Sequence, residues 1–167
     1  MPLREVAMPR IFTAALPAWA AVHDLTRRGD FLDCYAAVSD MPAPEAMRLG
    51  LAMPGWAMAL LRLRNALVAP FGLRTEAPAG PSFGLFPILK DTPQEVLLGF
   101  DDSHLNFRIT VLSQAGRIYL STWMHPHNRY GRAYLALVMP FHVLIVKDSL
   151  RRIARGPSHV ASGRGAS

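Results

Sequence analysis

The sequence predicts one α+β domain in which a curved antiparallel sheet wraps around a long C-terminal helix. First, 167 residues with a hydrophobic fraction of 51% are enough for a single domain with its own core. Second, four strand-like segments follow one another from Gly84 to Met124 with only short turns between them, which is typical of an antiparallel meander. Third, apolar residues recur at helical spacing from Tyr134 to Ile153. A sheet with one apolar face must be covered, and this helix can cover it.

The first half of the chain predicts one strand followed by two short helices. Phe31–Val38 is rich in aromatic and β-branched residues at its ends and is predicted as the first strand. Pro44–Ala52 begins with a proline and an acidic residue, as helices often do. Trp56–Val68 carries apolar residues at helical spacing and is the second helix. Residues 1–29 contain three prolines and little periodicity, so we expect an irregular lead-in.

The second half predicts four strands and the closing helix. The strands are Gly84–Leu89, Glu95–Phe100, Leu105–Leu112 and Arg117–Met124, and a turn at Ala115–Gly116 joins the last two. Pro140 has no donor N–H and is expected to kink the helix. The helix should end at Gly156–Pro157, which leaves a domain of residues 30–155 and a flexible basic tail of residues 156–167.

The charge and the cysteine content restrict the classes of partner and compartment. A net charge of +6 is compatible with nucleic acid or an anionic membrane, but the basic residues are spread along the chain except at Arg151, Arg152 and Arg155. We therefore expect no nucleic-acid partner and at most weak contact with an anionic membrane. Cys34 is the one cysteine and lies in an apolar stretch, so a buried, inert thiol in a reducing compartment is expected.

Two further patterns bear on localisation. The N-terminus has no continuous apolar segment followed by a cleavage site, so no signal peptide is predicted. The most apolar run, Ala133–Val146, is too short to span a bilayer and contains Pro140 and His142. The sequence thus predicts a cytoplasmic protein.

A row of polar residues on one predicted strand is the strongest local feature. His104, Asn106, Arg108 and Thr110 alternate with apolar residues and so share one face. One interpretation is the solvated face of a half-exposed strand. The other is a pocket wall in which Arg108 holds an anion and His104 transfers a proton.

Other candidate site residues lie on the next strand and on the closing helix. Tyr119 and Trp123 share one strand face, which suits a pocket wall and also an ordinary sheet. A histidine in an apolar helix, such as His142, is usually a core or boundary residue, but it becomes a second proton-transfer candidate if the helix lines a cavity. Arg132 stands near the start of this helix, either solvated or placed to capture an anion.

Metal and cofactor motifs are not found in the sequence. His125 and His127 could ligate a metal only with a third ligand such as Asp102 or His142 nearby, and neither a cysteine pair nor HExxH is present. There is no Walker loop, GxGxxG or GxSxG motif, which argues against nucleotide chemistry and serine-triad hydrolysis. We therefore expect no metal and no cofactor.

Several segments together resemble the bacterial domain-of-unknown-function family numbered 2867. They are Gly99–Val111, His127–Tyr134, Pro140–His142, Arg64–Val68 and Phe71–Leu73, and the resemblance covers residues 30 to 155. This family is grouped with helix-grip proteins related to START domains, pathogenesis-related allergens and polyketide cyclases. The resemblance therefore implies a helix-grip fold with a hydrophobic cavity under the last helix, and no known activity.

The resemblance also covers individual candidate positions. The segment from His104 to Arg108, together with Gly131, Arg132, Phe141 and His142, matches the recurring pattern of that family. By contrast, Met53, Met58 and the Trp123–Met124 pair are less typical, which leaves room for a pocket tuned to a particular ligand.

The leading hypothesis is binding of a small hydrophobic or aromatic ligand between the sheet and the C-terminal helix, with cyclase- or isomerase-like acid–base chemistry as an extension of it. The catalytic candidates are His104, Arg108 and His142; the ligand-binding candidates are Asn106, Tyr119, Trp123, Arg132 and Phe141. The second hypothesis is a non-catalytic lipid or membrane-surface module that uses the arginines near residue 152. The third is a protein-docking surface around Trp56 and Met58.

Overall fold

Seven antiparallel strands form one sheet in the order β1-β2-β7-β6-β5-β4-β3. A computed structural model describes residues 9–52, 54–59, 62, 80–83, 86–103 and 105–156. The strands are β1 (Ile11–Thr13), β2 (Phe31–Val38), β3 (Ser82–Phe83), β4 (Phe86–Asp91), β5 (Glu95–Asp101), β6 (Leu105–Gln114) and β7 (Arg117–Pro126). The predicted meander is confirmed because β4, β5, β6 and β7 pair consecutively, and β2 closes on β7.

Few helices accompany the sheet. They are a 3-10 turn at Ala21–Asp24, α1 at Ala43–Leu51, a helical stretch at residues 55–59 and 62, and the C-terminal helix at Arg129–Arg155. The predicted α+β class is confirmed. The remainder of the predicted second helix, His104, Met53 and the tail from residue 157 lie outside the described residues.

The C-terminal helix begins five residues earlier than Tyr134, where the sequence predicts its start. The reason is a cap: the Asn128 side chain accepts a hydrogen bond from the Gly131 N–H at 2.9 Å, which satisfies a donor that has no partner within the helix. The helix continues through Pro140 to Arg155.

The segment before β2 is more ordered than the sequence predicts. β1 pairs with β2, and Ala20 and Val22 are buried against the sheet. The buried carboxylate of Glu95 accepts from the Ala21 N–H at 2.8 Å and pairs with Lys90 at 2.5 Å. The stretch from Leu16 to Val22 therefore covers part of one face of the sheet.

The two faces of the sheet pack against different elements. The face toward the C-terminal helix, here called the inner face, carries a core that includes Val96, Leu98, Val111, Ile118, Leu150 and Ile153. The opposite, outer face carries a second cluster under the N-terminal segment: Ala20, Val22, Leu97, Leu112 and Trp123. Because side chains alternate along a strand, each residue belongs to one face or the other.

The last turns of the C-terminal helix are fixed to α1 by polar contacts. Ser149 Oγ donates to the Gly50 carbonyl at 2.8 Å, and Arg152 donates to the Leu49 and Gly50 carbonyls at 3.2 and 2.7 Å. Arg152 also pairs with Asp148. These bonds satisfy carbonyls at the end of α1 that have no partner within that helix. Arg152 is therefore a structural residue, whereas Arg151 and Arg155 are exposed.

Candidate functional site

A carboxylate–imidazole pair joins the inner face of the sheet to the C-terminal helix. Asp33 of β2 lies with Oδ2 3.0 Å from Nε2 of His142, and its Oδ1 accepts from the Thr122 N–H at 3.1 Å. The two side chains are only 15% and 14% exposed. With the carboxylate ionised, Nε2 of His142 is the donor in this bond.

An aromatic row crosses the inner face beside this pair. In register across the sheet lie Phe31, Met124, Phe107 and Phe100. Phe86 stacks on Phe100 with ring centroids 6.1 Å apart. The rings of Phe31 and His142 pack edge to face with centroids 6.2 Å apart. The Asp33–His142 pair therefore stands at one end of an apolar, aromatic wall.

The C-terminal helix packs closely on the sheet only in its second half. Val146, Leu150 and Ile153 are buried, whereas Gly131 is the one buried residue among 129–145. Phe31, which contacts His142 of the first half, is only half-buried, and so are Phe100 and Phe107 farther along the same row. The candidate site thus lies under the less tightly packed half of the helix.

The pair has the chemistry of a proton-transfer group. A carboxylate beside one ring nitrogen orients an imidazole and stabilises its protonated form. Within the described residues, Nδ1 of His142 has no hydrogen-bond partner, so this nitrogen can serve a bound molecule. Apolar neighbours exclude water and strengthen such an interaction.

A second carboxylate–imidazole pair lies on the outer face. Asp30 accepts from His125 Nδ1 at 2.5 Å, from Trp123 Nε1 at 2.9 Å and from the Arg27 N–H at 2.8 Å. Its side chain is 2% exposed. Burial acts to raise the pKa of Asp30, but the bonds from His125, Arg27 and Trp123 outweigh it, and the pKa is lowered. This carboxylate connects the start of β2 to β7.

Arg108 is also on the outer face and is occupied by structural contacts. Its Nη1 donates to the Phe100 and Phe107 carbonyls at 2.9 and 2.8 Å, and Nη2 pairs with Asp101 at 2.9 Å. The guanidinium lies 5.8 Å from the centroid of the Trp123 ring. Its Nε is buried and has no partner in the described part of the chain. We find Arg108 turned away from the helix and not placed to hold an anion beneath it.

The predicted site residues therefore do not form one group. Asn106, Arg108, Tyr119 and Trp123 lie on the outer face, where Asn106 Oδ1 accepts from His127 Nε2 at 2.8 Å. Their predicted place in a cavity beneath the helix is corrected by the strand alternation: the apolar residues of β6 face the helix, so the polar residues face away. Phe141 and Arg132 are exposed on the helix.

Of the predicted residues that the structure describes, His142 alone joins the inner site, and its partner Asp33 was not predicted. The signal for Asp33 is its position as the acidic residue of the otherwise uncharged strand Phe31–Val38. A carboxylate in a strand with a buried face needs a partner, and this requirement could have identified it.

Metal and membrane criteria give two further findings. Among residues 9–52, 54–59 and the other described ranges, no three His, Cys, Asp or Glu side chains lie close enough together to hold a metal ion. The C-terminal helix is long and apolar enough, by length and composition, to cross a membrane. Core helices of soluble proteins pass the same criterion but are mostly buried, whereas 17% of the apolar 18-residue segment of this helix is buried.

Comparison with known proteins identifies a family but no relative whose activity is known. No curated protein and no solved structure matches the chain. The model of one family, described as "Protein of unknown function (DUF2867)", matches residues 25–149, which include both carboxylate–imidazole pairs. The chain belongs to this family.

Proposed function

We propose that the chain binds a small hydrophobic or aromatic ligand against the inner face, beneath the first half of the C-terminal helix. The observation that carries the proposal is the Asp33–His142 pair at the end of the aromatic row. Ligand sites combine apolar walls with a few placed polar groups, and this region has both. The cavity implied by the helix-grip resemblance would lie at the same position.

The arrangement favours a ligand with an aromatic or alicyclic body and one polar substituent. The rings of Phe86, Phe100 and Phe107 lie within 5.6 to 6.1 Å of one another, so a flat apolar body could stack on them. Because Nε2 donates to Asp33, Nδ1 of the neutral imidazole would accept a hydrogen bond from a hydroxyl on such a body. Asp33 would set the orientation of the imidazole.

The same pair supports cyclase- or isomerase-like acid–base chemistry as a step beyond binding. His142 would take a proton from a carbon next to a ligand carbonyl, and Asp33 would stabilise the imidazolium that forms. Arg108 has no part in this step, because its guanidinium lies on the outer face.

Binding of 1-naphthol and naphthalene, measured by fluorescence titration, tests the proposal. Both probes should bind, because both stack on the aromatic row. Asp33→Asn and His142→Gln should weaken 1-naphthol at least about fivefold, the effect of roughly one lost hydrogen bond, and leave naphthalene unchanged. Native mass spectrometry of freshly purified protein would identify a retained ligand directly.

The matched control is Asp30→Asn, which alters the same kind of pair on the outer face. It should leave the affinity for both probes unchanged at a temperature where every variant is folded. The proposal is wrong if neither probe binds, or if Asp30→Asn weakens 1-naphthol as much as Asp33→Asn does.

A further inference from the structure

The outward side of the C-terminal helix changes character halfway along its length. With 100° per residue, the residues pointing away from the sheet are Tyr130, Ala133, Leu137, Pro140, Phe141, Leu144, Asp148, Arg151 and Arg155. The last three are charged, as expected for a solvated helix face. The first six are apolar or aromatic and are here called the outward stripe.

The outward stripe is exposed. Tyr130 is 75% exposed, Leu137 65%, Leu144 57% and Phe141 45%. Single exposed apolar side chains are common, but a continuous row over four helical turns is not. The opposite side of the same turns bears His142 and faces the sheet. The helix therefore presents apolar residues on both sides along this half.

The charged residues within the first half of the helix, where the outward stripe lies, are all basic. From Arg129 to Lys147 the chain has no acidic residue, while Arg129 and Arg132 are exposed beside its first turn. Arg151 and Arg155 continue the outward line beyond it, with Asp148 paired to Arg152. An apolar stripe bordered by arginines is complementary to the surface of a bilayer with anionic headgroups.

We infer that the outward stripe lies in the headgroup region of an anionic membrane, with the helix parallel to the bilayer surface. Leu137, Phe141 and Leu144 would enter the interface, and Arg129 and Arg132 would contact the headgroups. The helix does not leave the domain, since its second half stays bound to α1 and the sheet. This inference goes beyond the ligand proposal and does not depend on it, because the two use opposite sides of the helix.

Co-sedimentation of the full chain with vesicles tests the inference. We expect binding to vesicles of phosphatidylcholine with about a third phosphatidylglycerol, and at least about tenfold weaker binding to pure phosphatidylcholine. Raising the salt concentration should weaken the binding further. The variant L137Q/F141Q/L144Q should lose at least about tenfold in affinity, since three apolar side chains no longer enter the interface.

Two control variants distinguish this surface from general stickiness. V38Q/L89Q removes exposed apolar side chains elsewhere and should bind within about twofold of the unaltered chain. R129Q/R132Q should reduce the preference for anionic over neutral vesicles. The inference is overturned if neither vesicle binds, if L137Q/F141Q/L144Q binds normally, or if light scattering shows a dimer that this variant converts to a monomer, since the stripe would then hold a second copy.

Discussion

Two carboxylate–imidazole pairs lie on opposite faces of one sheet, and their surroundings differ. Asp30 on the outer face receives three hydrogen bonds and is 2% exposed. Asp33 on the inner face receives two, one of them from a backbone N–H, and its partner His142 stands beside half-buried aromatic rings. Two groups of the same chemistry thus have different surroundings: the first is enclosed by hydrogen-bond donors, and the second lies beside apolar rings that are only half-buried.

The difference shows that residue type does not by itself identify a functional site. The Asp30 carboxylate connects the start of β2 to β7 through Trp123 and His125, so its contacts are those of a structural residue. Nδ1 of His142 has no partner within the described chain. Nε2 of His125 likewise has no partner there, so the two pairs differ in the number of bonds to the carboxylate and in their neighbours, and not in the free imidazole nitrogen.

The largest effect on the free energy of unfolding is expected from Gly99→Ala, which would disrupt the outer face of the sheet beside Arg108. A Cβ at this position would lie 2.1 Å from the Phe107 carbonyl oxygen and 2.7 Å from Cδ of Arg108. The backbone oxygen cannot move without disrupting the pairing of β5 with β6. We expect a loss of about 3 kcal/mol or more in the free energy of unfolding.

Denaturant unfolding measures this loss, and Gly55→Ala is the control. A Cβ at Gly55 would meet no atom within 4 Å, so its effect should be within about 0.5 kcal/mol. Equal stabilities of the two variants would contradict the close approach of β5 and β6 at Gly99.

A smaller effect is expected from neutralising each carboxylate in turn. Asp30→Asn should lower the free energy of unfolding by about 2 kcal/mol, because a charged acceptor with three donors is lost. Asp33→Asn should cost about 1 kcal/mol or less, since its amide oxygen can still accept from the Thr122 N–H. Paired denaturation curves at pH 7 compare them.

The pH dependence of stability tests separately whether the hydrogen bonds to Asp30 stabilise the fold. The folded pKa of Asp30 is lowered below its ordinary value of 3.8, so its contribution is present above that value and is lost as the pH falls through the folded pKa. The unaltered chain should therefore lose more stability between about pH 5 and pH 3 than Asp30→Asn does. If both curves have the same slope, the Asp30 bonds are not stabilising the fold.

The smallest effect is expected for Asp33→Asn on the reactivity of the Cys34 thiol. Cys34 lies on the outer side of β2 next to Asp33. Burial, with a contribution from the charge of Asp33, raises the pKa of its thiol to about 12. We expect reaction with a thiol reagent at pH 8 to be at least about a hundredfold slower in the folded chain than in denaturant. Asp33→Asn should change this rate little, because burial is the larger cause; a fast reaction would show that the outer face opens readily.

The elements with a periodic side-chain pattern were predictable from the sequence. Alternating residues in β5, β6 and β7, the turn at Ala115–Gly116 and the apolar period of the last helix gave the confirmed meander and its closing helix. β1 was not predicted, because three residues are too few for a periodic signal, and neither was the bond from Ala21 to Glu95, which joins residues 74 positions apart.

The candidate site was only partly predictable, for a physical reason. The alternation of side chains along β6 places Asn106 and Arg108 on one face and Phe107 on the other. The same alternation is expected whichever of the two faces the helix covers. The packing of the C-terminal helix on the apolar side decided that the polar row faces away from the inner site.

By itself, therefore, the sequence determined the α+β class, the order of the meander and the family, since each rests on local periodicity or on residues read in line. Only the tertiary structure decided which histidine meets a carboxylate on the inner face. Asp33 and His142 are 109 positions apart and meet because β2 closes on β7 and the helix crosses above them. It likewise decided that the first half of the helix has an uncovered apolar side, because exposure depends on what the other elements leave free.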